Sequence, residues 1–332
     1  MPSARAGWPV LAALLILLTG SAGAGDPPLV LEATIPLPDV GGRIDHMAVD
    51  LAHDRLFVAE LGNGTVDSID ITSRKRSSRI TGLKEPQGIG YLPARDLIVV
   101  ANAGDGSVRL YTATTLAPAG TVDLGEDADN VRVDATTGQI LVGYGAGGIA
   151  VIDPARPAKI ADVALPAHPE GFHYDAATGR LYVNVPDRRQ IDVLDRKTGQ
   201  RVAAWSPPEM RSNFPMALDA AAGRVAIGYR NPARLTELST ADGAVTGSIP
   251  TCGDTDDIFF DAVRSRYYVS CGEGAVDVID RTPEGLVHHD RIRTVSGART
   301  SLFVPELDRL FVAARAGWFG GDATILVFRP TP

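Results

Sequence analysis

Asp45, Asp129, Glu170 and Asp257 are carboxylates that stand beside His46, Gln87 and Asn130, and Arg43 and Arg299 are cations near the two ends of the same series. Each sits at the head of a short apolar run, as in RIDHMAVD (43–50), where a β-like stretch gives no reason for so many charges. Carboxylates and amides are hard oxygen donors suited to Ca²⁺ or Mg²⁺, and an imidazole extends the choice to Mn²⁺, Fe²⁺ or Zn²⁺. Asp129, Glu170, Asp257 and His46 are therefore the candidate ligands for a divalent cation. Arg43 and Arg299 suit the anionic group of a small molecule, because guanidinium pairs with carboxylate in a fixed fork. Such chemistry requires that residues scattered from 43 to 299 meet at one place.

The sequence supplies a reason for them to meet, because it repeats. RIDHMAVDLAHDRLFVAELGNGTVDSID is followed by PQGIGYLPARDLIVVANAGDGSVRLY, and five further copies begin near 129, 169, 213, 255 and 299. With starts near 43 and 86 included, that makes seven copies at a period of about 43 residues. Each copy has a short apolar strand ending in Asp or a Pro turn, a β-rich strand such as RLFVAE (55–60), a turn, and an alternating strand such as TVDSID (65–70). A fourth strand leads to the next copy. Asn63-Gly64 and Asp105-Gly106 predict type I′ hairpin turns. Four antiparallel strands per copy, repeated seven times without helical periodicity, predict an all-β, seven-bladed propeller. The seventh copy stops after its third strand, and an isolated β-like stretch, 29–38, precedes the first. Pairing that stretch with the last blade would close the circle and remove an exposed edge.

The segments LYVNV (181–185), LFVAELGNGTVDSID (56–70) and YYVSCGEGAVDVID (267–280), with the turns Pro86-Gln87-Gly88 and Pro169-Glu170-Gly171, resemble the YVTN-type β-propeller repeat proteins. The resemblance covers essentially residues 25–332 and implies the propeller fold. It is less informative about activity, since proteins with similar repeats include surface-layer components, periplasmic proteins and a lyase that opens cyclic antibiotics. YRNPARLTEL (229–238) departs from the repeat, which blurs the blade boundary there.

Stacking the copies aligns the polar residues in two columns. One reads Asp45, Gln87, Asp129, Glu170, Phe214, Asp256, Arg299, and the next reads His46, Gly88, Asn130, Gly171, Pro215, Asp257, Thr300. In a propeller the loops leading into the first strands share one face, so these columns form a polar ring at the mouth of the central channel. The ring is either a ligand or ion site, or a set of caps and inter-blade bridges such as Arg299 with Asp45. Trp318, with Phe319 in the loop 314–323, falls on the same face and suits a ligand lid or a partner contact. His168 reaches toward the mouth, His173 lies further down its strand, and His288-His289 falls on an outer strand.

The ends and the composition bound the function class. Arg5, the apolar run 10–18 and Ala22-Gly23-Ala24 read as a secretory signal over 1–24, cleaved after Ala24; a retained anchor is the alternative. Residues 25–332 would then be one domain, periplasmic or secreted, off the membrane and monomeric. The two cysteines, Cys252 and Cys271, are expected to pair in that compartment, with two free thiols as the alternative. A net charge of −8 without a basic run excludes the usual nucleic-acid footprint. There is no GxSxG elbow, no CxxCH, no CxxC pair, and GYGAGG (143–148) lacks the P-loop lysine. Three functions stay open: a binding or scaffold protein for a small molecule, ion or protein partner; a metal-assisted lyase or lactone hydrolase at the same mouth; and an accessory subunit of a periplasmic redox system.

Overall fold

The computed structural model describes residues 26–317 and 322–332. Seven four-stranded antiparallel sheets follow one another around a central channel, so the seven-bladed propeller expected from the repeats is the fold. The segment 1–24, read as a signal, and Trp318 with Phe319 lie outside the described residues.

The innermost strands are Met47–Asp50, Pro86–Leu92, Ala128–Val133, Phe172–Asp175, Arg211–Asp219, Thr255–Asp261 and Ser301–Val304, for blades 1 to 7. The Asp that ends this strand in five copies has a local job. Asp50, Asp134, Asp175, Asp219 and Asp261 each accept a backbone N–H two or three residues on, from Ala52, Thr136, Ala177, Ala222 and Val263. This is the Asx turn that reverses the chain into the second strand. In blades 2 and 7 Pro93 and Pro305 follow the strand and turn the chain instead.

The stretch before the first copy forms a strand, Leu29–Leu37, that pairs antiparallel with Ala323–Pro330, from Leu29 opposite Pro330 to Leu37 opposite Ala323. It completes blade 7 as its outer strand, as the missing fourth strand of that copy demanded.

The hairpin turns depart from expectation. Leu61–Asn63 is a single 3₁₀ turn, and only Gly64 takes a positive φ, of 68°. A type I′ turn needs positive φ at both central residues, so neither Asn63-Gly64 nor Asp105-Gly106 forms one. Four residues, rather than two, link Glu60 to its partner Thr65.

Side chains from facing sheets pack into seven apolar clusters, one at each blade interface. Phe57, Phe172, Phe311, Tyr182, Tyr229 and Tyr268 are among the largest fully buried residues. Burying each such side chain is worth about 1.5–3 kcal/mol, and because every cluster draws on two blades, no blade is stable alone.

Cys252 and Cys271 form a disulfide within blade 6, with Cα atoms 5.9 Å apart, as expected from the sequence. It ties the loop before the innermost strand to the end of the second strand.

Candidate functional site

The polar columns emerge where the innermost strands lose their regular ladder. In blades 2, 3, 5 and 6 the pairing register shifts within 86–89, 128–131, 213–216 and 255–257, which contain Gln87, Asp129, Phe214 and Asp256. In blades 1, 4 and 7 the strand begins only at Met47, Phe172 and Ser301, one residue past the second column. A bulge releases a residue from the alternation of strand faces and re-aims its side chain. Two glycines in the second column let neighbouring blades close up behind it. A Cβ on Gly88 would lie 2.0 Å from the Asp129 carbonyl oxygen, and one on Gly171 would lie 2.6 Å from that of Phe214.

The result is a cavity of about 40 Å³ lined by Arg43, Asp45, His46, Gln87, Asp129, Asn130, Arg132, Glu170, Phe214, Asp256 and Asp257. Six of the seven blades thus bring together most of the residues that the stacked copies had singled out. Thr300 instead donates to the Ile44 carbonyl (3.2 Å) and joins blade 7 to blade 1.

One side of the mouth is ion-paired. Arg43 Nη2 donates to Asp45 Oδ2 (2.7 Å) and to Gln87 Oε1 (3.3 Å). Arg299 does not reach Asp45, the bridge considered from the sequence. It turns to blade 6, with Nε 2.8 Å from Asp256 Oδ2 and Nη1 3.1 Å from Asp254 Oδ2. Arg230 of blade 5 takes the other oxygen of Asp256, donates from Nε to the Thr255 carbonyl (2.9 Å), and stacks 3.8 Å from the Phe214 ring. Asp254, Asp256, Arg230 and Arg299 therefore form a four-residue bridge across blades 5, 6 and 7.

The opposite side is not paired. Asp129 and Glu170, on the adjacent blades 3 and 4, have no arginine or lysine within salt-bridge distance among the described residues, and the buried Asp129 Oδ1 has no hydrogen-bond partner. Burial pushes Asp129 well above the ordinary carboxylate range, with Glu170 adding to the effect. Burial likewise lifts Glu170 to about 8, helped by the negative charge of Asp256. At neutral pH Glu170 is largely protonated, so its carboxyl can both donate and accept, and Asp129 is shifted in the same direction.

His46 stands between Asp45 (3.7 Å) and Asp257 (3.9 Å). Burial and the nearby Arg132 lower its pKa to about 4, so it is neutral. Asp257 accepts the Ser301 N–H through Oδ2 (2.8 Å), and burial holds its carboxyl well above the usual range. Among the described residues no three His, Cys, Asp or Glu side chains gather closely enough to hold a metal ion. Asp129, Glu170, Asp257 and His46 share the mouth without converging on one point.

Arg132 was missed as a site residue, and His173 was placed only as lying further down its strand. They occupy the same step of their strands, in a column otherwise read as Ala48, Gly90, Ala217, Phe259 and Leu302. An arginine and a histidine in that company are the signal that was present. His168 lies at the periphery, where its Nδ1–H donates to the Gly145 carbonyl (2.7 Å). His289 pairs with Asp280 (2.6 Å) on the outside of blade 6, remote from the channel.

No protein-family model matches the chain, and no curated protein matches it in sequence. Solved structures do match in fold. A chain of the mitotic checkpoint complex superposes with a TM-score of 0.79 at 11% identity, over 98% of this chain and 99% of that one. A chain of Kuenenia stuttgartiensis hydrazine synthase gives 0.74 at 16% identity, over 93% and 98%. At these identities the likeness is one of architecture, and it joins the chain to propellers as a class.

Proposed function

We propose that this protein is an exported binding protein that takes a small polar molecule over the mouth of its channel, with one hydrogen-bonding group entering the mouth cavity. The observation that carries the reading is the unpaired Asp129–Glu170 side of the mouth, set against a fully bridged side. A buried carboxyl oxygen without a partner, as at Asp129, costs stability, and a ligand that donates and accepts hydrogen bonds there would recover it. The bridge through Arg230, Arg299 and Asp256 supports the same reading, because it holds three blades rigid around the opening. Trp318 is a further proposed contact, as a lid residue. The repeat grammar supports grouping the chain with YVTN-type propellers, and the N-terminal signal pattern together with the Cys252–Cys271 bridge supports export.

The test is a thermal-shift screen of the mature chain against small polyols, amino acids and amines, repeated on Asp129→Asn and Glu170→Gln. A compound that raises the wild-type midpoint and loses that effect in both variants is the expected result. Compounds that stabilise all three proteins equally would sink the assignment to the mouth. Export is checked separately by N-terminal sequencing of the secreted protein, which should begin at Gly25.

A further inference from the structure

Below the mouth the channel widens into a second cavity of about 360 Å³. At roughly 30 Å³ for each water-sized volume, that is space for about a dozen non-hydrogen atoms. Its walls are chiefly apolar, from Met47, Ile89, Val131, Met216, Ile258 and Leu302. Four residues, His46, Arg132, Met216 and Asp257, line both cavities and so mark the constriction between them.

The charges facing this chamber do not balance. Asp257 is held toward its neutral form by burial. His46 is neutral, and so is His173, whose Nε2–H donates to the Met216 carbonyl (3.1 Å) and whose pKa falls to about 3 through burial and the nearby Arg132. Arg132 remains. Its Nη1 donates to the carbonyl of its own neighbour Val131 (2.8 Å), and its guanidinium lies 5.5 Å from the Phe172 ring. Among the described residues no carboxylate lies within 4 Å of it, whereas Arg43, Arg230 and Arg299 at the mouth are all paired.

A guanidinium with no carboxylate at salt-bridge distance, in a chamber of chiefly apolar walls, is a place for one anion attached to an apolar body. We propose that the chamber binds a small organic carboxylate, its anion on Arg132 and its hydrocarbon part against Met47, Ile89, Met216 and Ile258. The assignment rests on reading the channel as a binding site, and it adds the chemical class of ligand for its inner compartment. Asp257, whose Oδ2 accepts the Ser301 N–H, stands at the same constriction, and burial raises its pKa toward the neutral form.

Calorimetric titration with benzoate and 3-phenylpropionate, beside their uncharged amides, tests this directly. The carboxylates should bind at least tenfold more tightly than the amides, since a hydrogen bond to a charged group is stronger than a neutral one. Arg132→Met should abolish that preference, and Arg132→Lys should keep part of it; unliganded melts of both variants verify that they fold. Equal binding of acid and amide, an unchanged preference in Arg132→Met, or no binding of any of the four compounds at millimolar concentration would each overturn the proposal. Displacement of the carboxylates by tens of millimolar chloride would also do so, by making the site one for an inorganic ion. A mouth ligand from the screen above that still binds Arg132→Met would leave the mouth reading in place while the chamber assignment falls.

Discussion

Arg299 of blade 7 and Asp256 of blade 6 meet with Nε 2.8 Å from Oδ2, and the other oxygen of that carboxylate belongs to Arg230 of blade 5. One acidic side chain thus links three blades at the mouth. Its side chain is 15% exposed and that of Arg299 22%. Arg299→Ala should therefore lower stability by about 2–3 kcal/mol, somewhat below the cost of breaking a fully buried pair. Asp254→Ala, at a carboxylate that is 43% exposed, should cost less than about 1 kcal/mol. Urea unfolding midpoints of the two variants check the ranking.

Glu170 gives the protein a pH dependence of known sign. Its folded-state pKa of about 8 lies above its ordinary value of 4.5, so the folded protein binds more protons than the unfolded chain between those values. Its contribution to stability is complete below pH 4.5 and is lost as the pH rises through 8. Thermal midpoints of Glu170→Gln should match the wild type near pH 4.5 and exceed it at pH 8–9. A constant difference across that range would contradict the assignment.

The disulfide closes a loop with a sequence separation of 19, and both cysteines are fully buried. Cys252→Ala with Cys271→Ala should cost roughly 3 kcal/mol on the chain-entropy account. Native protein should resist dithiothreitol until denaturant opens blade 6. Guanidinium unfolding with and without reductant reads both effects.

Gly88 is required by its neighbour rather than by its own conformation. An alanine there would drive a methyl group into the Asp129 carbonyl, so Gly88→Ala should destabilise by about 3 kcal/mol, at the upper side of the usual overpacking cost. A Cβ on Gly41 meets nothing within 4 Å, and Gly41→Ala should stay within about 0.5 kcal/mol of wild type. Because Asp129 moves with the backbone that Gly88 accommodates, Gly88→Ala should also weaken any ligand found at the mouth.

The fold was legible because its information is redundant: seven copies state the same strand pattern, and an error in one, such as YRNPARLTEL, leaves six. The mouth was legible in part for the same reason, since stacked copies expose Asp45, Asp129, Glu170 and Asp257 as departures from strand alternation. The other members of the bridge around Asp256 and Arg299 were not legible. Arg230 lies on the second strand of the blade that departs most from the repeat, and Asp254 precedes its innermost strand, so neither falls in the stacked columns. Nothing in the spacing of Arg299 tells whether it reaches Asp45 or Asp256, because bulges at 255–257 and 213–216 decide which side chains face it. Arg132 is a different case. Its column was visible, and a cation among alanine and glycine was the clue.

In blades 1 to 6 every neighbouring strand is reached through a short connection, but Leu29–Leu37 meets Ala323–Pro330 from the far end of the chain. That seam gains nothing from local hairpin formation and must overcome the loop-closure entropy of almost the whole polypeptide. It is the contact expected to form last and to open first, like the clasp of a bracelet whose links are already joined. Residues of all seven blades line the chamber, so a ligand filling it would resist that opening from the inside. Occupancy of the channel and closure of the clasp would then be two readings of one equilibrium.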